Sequence, residues 1–305
     1  MVADNRIAFE RVVVVGLGLI GSSLTRGLTE KGLVGEVVGF DACEAVRARA
    51  RDVGIGARVV DEPVTELSQA DLVVLAVPVG AMKAVAQSVC LHLKEGAILT
   101  DVGSVKKSII ADVLPLMPEG TFFVPGHPVA GTEFSGPEAG MAELFEGRWC
   151  ILTPVEETPD QVIQQVKALW RGLGSFVECM EADHHDIVLA ITSHIPHLIA
   201  YNIVGTAADL EEVTKGEVIK YSAGGFRDFT RIAASDPVMW RDVFMCNKEA
   251  VLEMLGRFVE DLTQLQRHIR RDDATALEDL FTRTRAIRRS IVEAGQETDK
   301  PDFGR

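Results

Sequence analysis

Paired cysteines and a targeting segment are both missing from this sequence. The five cysteines, at positions 43, 90, 150, 179 and 246, show no CxxC spacing and no close pair. They imply neither a zinc cage nor a disulfide framework, and reduced thiols are the simplest interpretation. The first ten residues, MVADNRIAFE, lack the apolar core of a secretory signal peptide. We therefore predict a cytoplasmic protein and no bound metal.

Positive charge is scarce as well. The chain has 31 Lys and Arg against 45 Asp and Glu, which gives a formal net charge of -14. This balance argues against non-specific nucleic-acid binding, and an anionic substrate would have to be held by local cations. The arginines between positions 267 and 289 are interleaved with acidic residues, as is typical of solvated helix faces. The expected partner is a small-molecule substrate.

Purely apolar segments of membrane-spanning length are lacking too. The charge-free run from Ile187 to Ala208 is long enough to cross a bilayer. It contains the following polar or helix-breaking residues: Thr192, Ser193, His194, Pro196, His197 and Asn202. Such content is more typical of a helix buried inside a soluble protein. No membrane partner is predicted.

The first half of the chain alternates predicted strands and helices. Val12 to Val15 are four consecutive valines, which predict a strand buried on both faces, as in the middle of a parallel sheet. Further strands are predicted at 36–40, 58–60, 72–77, 97–100, 121–124, 149–152 and 176–180. This alternation predicts an α/β fold with a doubly wound, Rossmann-type sheet in residues 1–180.

Beyond Glu181 the pattern changes to helices only. Asp236 and Pro237 are typical of an N-cap followed by a first-turn proline, and they predict the start of one long helix. Its apolar seam recurs in steps of three, four and seven: Phe244, Val251, Leu255, Phe258, Leu262, Leu265 and Ile269. A seam of this kind needs a facing helix. Residues 181–305 are therefore predicted to form an all-helical dimerisation domain, and an ordinary bundle core is the alternative.

A glycine-rich turn directly follows the four valines. Gly16, Gly18 and Gly21 have GxGxxG spacing before a predicted helix. The first glycine would make the tight turn, the second would let a pyrophosphate approach, and the third would let the helix pack on the strand. The amides of Leu19 and Ile20 at the helix start would face the phosphates. A glycine turn with no ligand is the alternative.

The context of this turn favours a dinucleotide, and NAD in particular. Asp41 ends the second strand, 20 residues beyond Gly21. Its carboxylate would accept hydrogen bonds from the ribose hydroxyls and repel a 2'-phosphate, although Arg47 and Arg49 could turn towards a phosphate. The predicted cofactor site also includes Val77 and Pro78, at the end of another buried strand.

Two candidate catalytic side chains follow predicted strands. Open parallel sheets bind ligands beyond the carboxyl ends of their strands, and right-handed crossovers bring those ends to one rim. Ser104 lies in DVGSVK, where the alternative is a helix N-cap. His127 lies in PGHPVAGTE, which we interpret as a loop, and a loop histidine is more often solvated than catalytic. Both would lie beside the nicotinamide end of the predicted site.

The helical half adds histidines and arginines. His194 and His197 form an HxxH pair, which could bind a metal, but no third ligand has suitable spacing. Substrate binding is the preferred hypothesis, and core histidines with satisfied hydrogen bonds are the alternative. Arg227 and Arg231 flank Asp228, where surface ion pairing is the simplest interpretation. Arg231 is also a candidate for gripping a carboxylate bidentately.

Several motifs together resemble one family. The combination GLGLIG, DVGSVK, GHPVAGTE, TSHIPHLIAYNI and GGFRDFTRIAASDPVMWRD is similar to the prephenate and arogenate dehydrogenases of tyrosine biosynthesis. The resemblance implies that His127 is the catalytic histidine and Ser104 the substrate-orienting serine. It implies that His197 is a second substrate-side histidine, and that Arg231 holds the ring carboxylate.

The resemblance has further implications for the site and the assembly. Glu133 and Asp228 match acidic positions that shape or gate the site. The family also implies a homodimer formed through the helical domain. We expect kcat/KM to fall on acidification as His127 protonates, through an apparent pKa near the reference value of about 6.5.

The function implied is the NAD-dependent oxidative decarboxylation of prephenate, L-arogenate or both, and we favour a dual-specificity cyclohexadienyl dehydrogenase. Three alternatives stay open. A β-hydroxyacid dehydrogenase would need a catalytic lysine, a dinucleotide-sensing protein would not need His127, Ser104 and Arg231 together, and a metal-dependent hydrolase would be inhibited by a chelator. The residues do not distinguish prephenate from arogenate.

Overall fold

The structure, a computed structural model, describes residues 9–132, 134–209 and 224–291. The chain forms two compact units, one ending at Val251 and the other beginning at Leu252. A parallel sheet with flanking helices comes first and helices alone follow, which confirms the predicted fold class. The boundary predicted between residues 180 and 181 stays a prediction.

A six-stranded parallel sheet forms the centre of the first unit, in the order β3-β2-β1-β4-β5-β6. Its strands are β1 (Arg11–Val15), β2 (Glu36–Phe40), β3 (Arg58–Val59), β4 (Leu72–Leu75), β5 (Ile98–Asp101) and β6 (Phe122–Val124). The strand order reverses between β1 and β4, and a ligand crevice is expected at this switch point. The glycine turn that follows β1 lies there.

The valines of β1 show why this strand is central. Val12 and Val14 pack into one apolar layer, and Val13 and Val15 pack into the layer on the opposite face. Each is at most 5% exposed. The helices of this half are α1 (Leu19–Glu30), α2 (Glu44–Val53), α3 (Val64–Leu67), α4 (Met82–Cys90), α5 (Lys107–Val113) and α6 (Asp160–Gly172). The predicted strand buried on both faces is confirmed.

A second sheet of three strands, β7 (Gly126–Pro128), β8 (Trp149–Leu152) and β9 (Phe176–Cys179), was not foreseen. β7 runs antiparallel to β8, with His127 opposite Ile151. The interpretation of His127 as a loop residue was therefore wrong. A strand of three residues that follows Pro125 and ends at Pro128 has too few positions to show the alternation on which strand prediction depends.

Within 181–209 and 224–291, the described helices of the second half are α7 (Ala182–Leu189), α8 (Ile195–Asp209), α9 (Gly224–Thr230), α10 (Pro237–Cys246), α11 (Lys248–Arg270) and α12 (Ala274–Ile291). A π-helical turn, Ala190–His194, joins α7 to α8. Asp236 caps α10 as predicted, because its side chain accepts a hydrogen bond from the Met239 amide at 2.8 Å.

One continuous helix after Asp236 was predicted, and that prediction was wrong. Asn247 leaves the helical conformation between α10 and α11, so the apolar seam is divided and Phe244 stands apart from the rest. The side chain of Asn247 donates to the Asp186 carbonyl at 2.8 Å and lies 3.1 Å from Nδ1 of His194. These buried contacts stabilise the break.

The stretch from Ala182 to Asp209 meets the length and hydropathy criteria for crossing a membrane, with a mean hydropathy of 1.5. A buried helix inside a soluble protein was expected. One face fits this expectation, because His185, Asp186 and His194 are buried and hydrogen-bonded. The other face leaves Ile187 and Ile191 at 40% and 47% exposed. Burial of this stretch within the single chain is therefore one-sided.

Candidate active site

The three glycines of the turn after β1 meet different surroundings. Gly16 has φ +100°, and a Cβ there would lie 2.3 Å from the Ala76 carbonyl oxygen. A Cβ on Gly21 would lie 1.9 Å from the Gly16 carbonyl oxygen. A Cβ on Gly18 would meet nothing within 4 Å. Gly16 and Gly21 are thus required by packing, whereas Gly18 leaves open space at the start of α1.

A cleft of about 780 Å³ opens beside this turn. Five predicted cofactor residues line it: Gly16, Gly18, Asp41, Val77 and Pro78. Gly21 is buried behind the turn, and Leu19 and Ile20 form the half-buried first turn of α1. The volume suits a ligand of cofactor size. The cleft lies at the carboxyl ends of β1, β2 and β4, where the crevice was expected.

Asp41 is fixed at the end of β2 by two backbone amides. Its carboxylate accepts hydrogen bonds from the Leu17 and Cys43 amides, both at 2.9 Å. Arg47 donates to Asp61 at 2.9 Å and to the Asp41 carbonyl at 2.8 Å. Arg49 lies 3.8 Å from Glu138. Both arginines therefore have acidic partners, which disfavours the alternative in which they turn towards a 2'-phosphate.

A buried ion pair ties the end of β5 to β7. Lys106 and Asp101 are 0% exposed, and the Lys106 ammonium donates to the Asp101 carboxylate and to the Gly126 carbonyl, the latter at 2.6 Å. Asp101 also accepts from the amides of Gly103 and Gly126, at 2.8 and 3.2 Å. Burial lowers the pKa of Lys106, and the Asp101 carboxylate opposes that shift. The pair holds the residue that precedes His127.

His127 is the first member of a buried chain of three side chains. Its Nδ1 lies 2.8 Å from Nε2 of His185, and Nδ1 of His185 lies 2.8 Å from a carboxylate oxygen of Asp186. That carboxylate also accepts hydrogen bonds from the amides of Lys106, at 2.8 Å, and Lys107, at 3.0 Å. β7, α7 and the start of α5 are thereby joined.

Burial keeps the imidazoles of His127 and His185 neutral. It lowers the pKa of His127 well below 6.5, and the nearby His185 ring and Lys106 charge lower it further. Burial also lowers the pKa of His185, against the opposing effect of Asp186. A neutral imidazole can accept a proton at pH 7, which an imidazolium cannot do.

A second cluster lies around Trp240 on α10. The His197 ring stacks on the Trp240 indole with centroids 3.6 Å apart, and the His194 ring meets the same indole edge-on at 6.1 Å. Nδ1 of His197 donates to the Ser193 carbonyl at 2.9 Å, which leaves Nε2 as the acceptor. Burial lowers the pKa of His197, as does the charge of Arg231, and burial lowers the pKa of His194 to about 4. Asn247 connects this cluster to Asp186.

The remaining predicted residues lie as follows. Ser104 is half-buried between β5 and α5, and Lys106 rather than Ser104 occupies the N-cap position of α5. Arg231 begins an exposed 3-10 turn after α9. Asp228 is exposed on α9, 3.8 Å from Arg227. Glu133 lies outside the residues that the structure describes.

Sequence reasoning missed several residues of this site: Asp101, Lys106, Asp186, Trp240 and Asn247. Their separations along the chain fit no short motif. The one local signal was a pair of opposite charges, five residues apart, that flank the glycine of DVGSVK after an apolar strand.

Among residues 9–132, 134–209 and 224–291, no group of three or more His, Cys, Asp or Glu side chains is arranged to hold a metal ion. In the HxxH pair, Nδ1 of His194 contacts Asn247 and Nδ1 of His197 contacts Ser193. These contacts match the interpretation of hydrogen-bonded histidines rather than metal ligands.

Two family models match the chain. The model of the prephenate dehydrogenase nucleotide-binding domain matches residues 24–179, and that of the prephenate dehydrogenase dimerization domain matches residues 181–283. The chain belongs to the prephenate dehydrogenase family. The resemblance stated from the motifs is thereby confirmed.

Relatives in this family are similar to this protein over most of its length. The cyclohexadienyl dehydrogenase of Zymomonas mobilis is 41% identical over 283 residues, which cover 93% of this chain and 96% of that protein. A solved structure of Aquifex aeolicus prephenate dehydrogenase with hydroxyphenyl propionate and NAD+ is 35% identical, with a TM-score of 0.85, and covers 92% of this chain and 98% of its own. Synechocystis arogenate dehydrogenase is 26% identical, with a TM-score of 0.77, over 92% and 99% of the two chains.

These comparisons confirm the predicted enzyme class, a dehydrogenase, and the predicted nucleotide cofactor. Membership of the prephenate dehydrogenase family also removes the ground for the β-hydroxyacid dehydrogenase, sensor and hydrolase alternatives.

Proposed function

We propose that this protein catalyses the NAD-dependent oxidative decarboxylation of prephenate to 4-hydroxyphenylpyruvate and of L-arogenate to L-tyrosine. The observation that carries this proposal is the buried, neutral His127 in the fold of a prephenate dehydrogenase. Dual specificity is supported by the names of the relatives, since one is a cyclohexadienyl dehydrogenase and another an arogenate dehydrogenase.

The cleft beside the glycine turn fits NAD. Open space at Gly18 suits a pyrophosphate against the backbone, and the amides of Leu19 and Ile20 at the start of α1 suit its charge. The carboxylate of Asp41 suits the two ribose hydroxyls. When bound, NAD supplies the hydride acceptor of the reaction. The cofactor residues proposed are Gly16, Gly18, Leu19, Ile20, Gly21, Asp41, Val77 and Pro78.

His127 is proposed as the group that removes the proton from the C4 hydroxyl of the substrate. As hydride leaves C4, the hydroxyl becomes acidic, and a neutral imidazole accepts its hydrogen bond and then its proton. Ser104 is proposed to orient the same hydroxyl from the loop after β5. Loss of the C1 carboxylate as carbon dioxide then makes the ring aromatic, which drives the reaction.

The substrate-binding roles go to residues of the helical half. Arg231 is proposed to hold the ring carboxylate, because a guanidinium binds carboxylates bidentately. His197 is proposed to meet the side-chain end of the substrate, and Asp228 and Glu133 to shape the entrance. Arg231→Ala is expected to raise KM for prephenate more than it lowers kcat. The matched control is Arg227→Ala, four residues earlier.

The first test is NADH formation at 340 nm with purified protein. Prephenate and arogenate are compared with NAD and with NADP. Turnover of both ring acids with NAD supports the proposal, and the ratio of the two kcat/KM values gives the preference. No turnover of either substrate with either cofactor would refute it.

We further infer a cytoplasmic homodimer, with the domain boundary between residues 180 and 181. The exposed apolar side chains of Ile187 and Ile191 and the match to a dimerization domain support an interface formed by the helical half. Light scattering on the purified protein tests the dimer, and a monomer at micromolar concentration would contradict it.

A further inference from the structure

The carboxylate of Asp186 can only accept hydrogen bonds. Both of its oxygens receive backbone amides, those of Lys106 and Lys107, and a backbone amide is always a donor. The third contact, with Nδ1 of His185 at 2.8 Å, must therefore be a donation by that nitrogen. The proton of neutral His185 is thus on Nδ1, and its Nε2 carries a lone pair.

The orientation of His185 in turn decides where the proton of His127 lies. Nε2 of His185 and Nδ1 of His127 are 2.8 Å apart, and one of the two must donate. Since Nε2 of His185 has no proton, Nδ1 of His127 is the donor. A neutral imidazole has a single N–H, so Nε2 of His127 keeps its lone pair.

We infer that His185 and Asp186 are positioning residues that fix the tautomer of His127, with its proton on Nδ1 and its lone pair on Nε2. The catalytic importance of this tautomer rests on the proposed function. In that function Nε2, which carries the lone pair, is the atom that accepts the substrate proton. The opposite tautomer would present an N–H to the substrate hydroxyl and could not act as a base.

The surroundings of the three side chains hold this arrangement in place. His127, His185 and Asp186 are 7%, 0% and 4% exposed, so water does not compete for their hydrogen bonds. The two rings meet edge-on, with centroids 5.1 Å apart. Asn247, directly after α10, donates to the backbone carbonyl of Asp186, and Lys106 donates to the carbonyl of Gly126, the residue before His127. Contacts from β7, α7, the start of α5 and the end of α10 therefore all help to fix the position of the proton on His127.

The direct test needs no substrate. The whole protein is labelled with [15N]histidine, and long-range 1H–15N spectra distinguish pyrrole-type from pyridine-type ring nitrogens. His127→Asn identifies the His127 signals. We expect a pyrrole-type Nδ1 and a pyridine-type Nε2 for His127 at pH 7. The opposite assignment, or an even mixture, would overturn the inference even in an active enzyme.

The variant test is Asp186→Asn. An amide cannot accept on both sides, and in one of its two orientations its NH2 group donates to Nδ1 of His185. The ring of His185 then carries its proton on Nε2, and His127 takes the unproductive tautomer. We expect kcat to fall at least about tenfold with KM little changed, and the second tautomer to appear in the spectrum. Unchanged kcat with an unchanged spectrum would contradict the inference.

The matched control is Asp183→Asn, which lies one turn earlier on the same helix. Asp183 is exposed and pairs with the side chain of Lys107 at 2.8 Å, whereas Asp186 binds the backbone amide of Lys107. We expect this control to leave kcat and the His127 signals unchanged. Inactivity of the wild type towards both ring acids would refute the proposed function and leave the tautomer measurement standing.

Discussion

The proposed role of His127 as a base depends on its burial. Because burial lowers its pKa well below 6.5, the imidazole is neutral throughout the physiological range. Protonation inactivates a base, so kcat/KM should fall on acidification, but through a midpoint below the value of about 6.5 that the sequence suggested. A rate profile from pH 4.5 to 8 checks this expectation, and a midpoint at or above about 6.5 would contradict it.

Replacement of the base separates chemistry from binding. His127→Asn should lower kcat by about 10² to 10⁴-fold with KM for prephenate little changed, because the proposed proton acceptor is lost and Arg231, the proposed carboxylate-binding residue, remains. Steady-state kinetics with NAD in excess measure both constants. His184→Asn, at an exposed position beside His185, is the control and should behave as wild type. Equal changes in kcat and KM would argue against this division of roles.

The pair of Lys106 and Asp101 should be costly to break. Lys106→Met leaves a buried carboxylate without its cation, and we expect the free energy of unfolding to drop by about 3 to 5 kcal/mol. Denaturant unfolding followed by circular dichroism measures the change. Adding Asp101→Asn should recover part of the loss. The exposed pair of Lys83 and Asp112 supplies the control, since Lys83→Met should change stability little.

At the scale of elements, two glycines of the turn between β1 and α1 are expected to be needed for different reasons. Gly18 leaves space for the proposed ligand, whereas Gly21 is needed for packing. Gly18→Ala adds a methyl group to open space, so thermal stability should persist while the KM for NAD rises by about tenfold or more. Gly21→Ala drives a methyl group into the Gly16 carbonyl, so it should lower the melting temperature as well. Thermal melts and NAD titrations distinguish the two. Equal effects of both variants on stability would contradict this separation.

Elements with a strong local pattern were predictable from the sequence. β2 and β8 have the predicted bounds, and α1 follows the glycine turn as predicted, because valine runs, glycine turns and helical periodicity act over a few positions. β7 and the break at Asn247 were not predictable. The first depends on pairing with β8, more than 20 residues away, and the second on a hydrogen bond to Asp186, 61 residues away.

The residues of the candidate site likewise fall into those that the sequence predicted and those that it did not. His127, Ser104 and Arg231 were predicted because they lie in motifs that a family resemblance can carry, and their roles stay predictions. His185 was not singled out among the histidines of the helical half, and Asp186 was not singled out either. Their roles depend on hydrogen bonds to residues 58 and 80 positions away, which no spacing in the sequence reveals.

At the scale of the whole molecule, buried histidines make stability depend on pH. Burial lowers the pKa of His127, His185, His194 and His197. The unfolded chain, with pKa values near 6.5, binds protons that the folded chain does not, so stability should fall as the pH drops below about 6.5. For His194 the loss extends down to its folded pKa of about 4, and its size is on the order of 3 kcal/mol.

Urea unfolding midpoints at pH 7, 5.5 and 4.5 check this expectation. The midpoint should decrease steadily, and His194→Gln should flatten the decrease. His184→Gln, at an exposed position, should leave the slope as in the wild type. A midpoint that stays constant between pH 7 and 4.5 would show that these rings do not couple to folding.

The division of the first unit into two sheets has a practical consequence for engineering. The cleft proposed to bind the nucleotide is built on the six-stranded sheet, whereas His127 is carried by the three-stranded one. Changes at Asp41 and Arg47, made to exchange one dinucleotide for another, alter the end of β2 and touch none of the hydrogen bonds of the His127 chain. The choice of dinucleotide and the hydrogen bonds of His127 can therefore be engineered separately in this protein, one after the other.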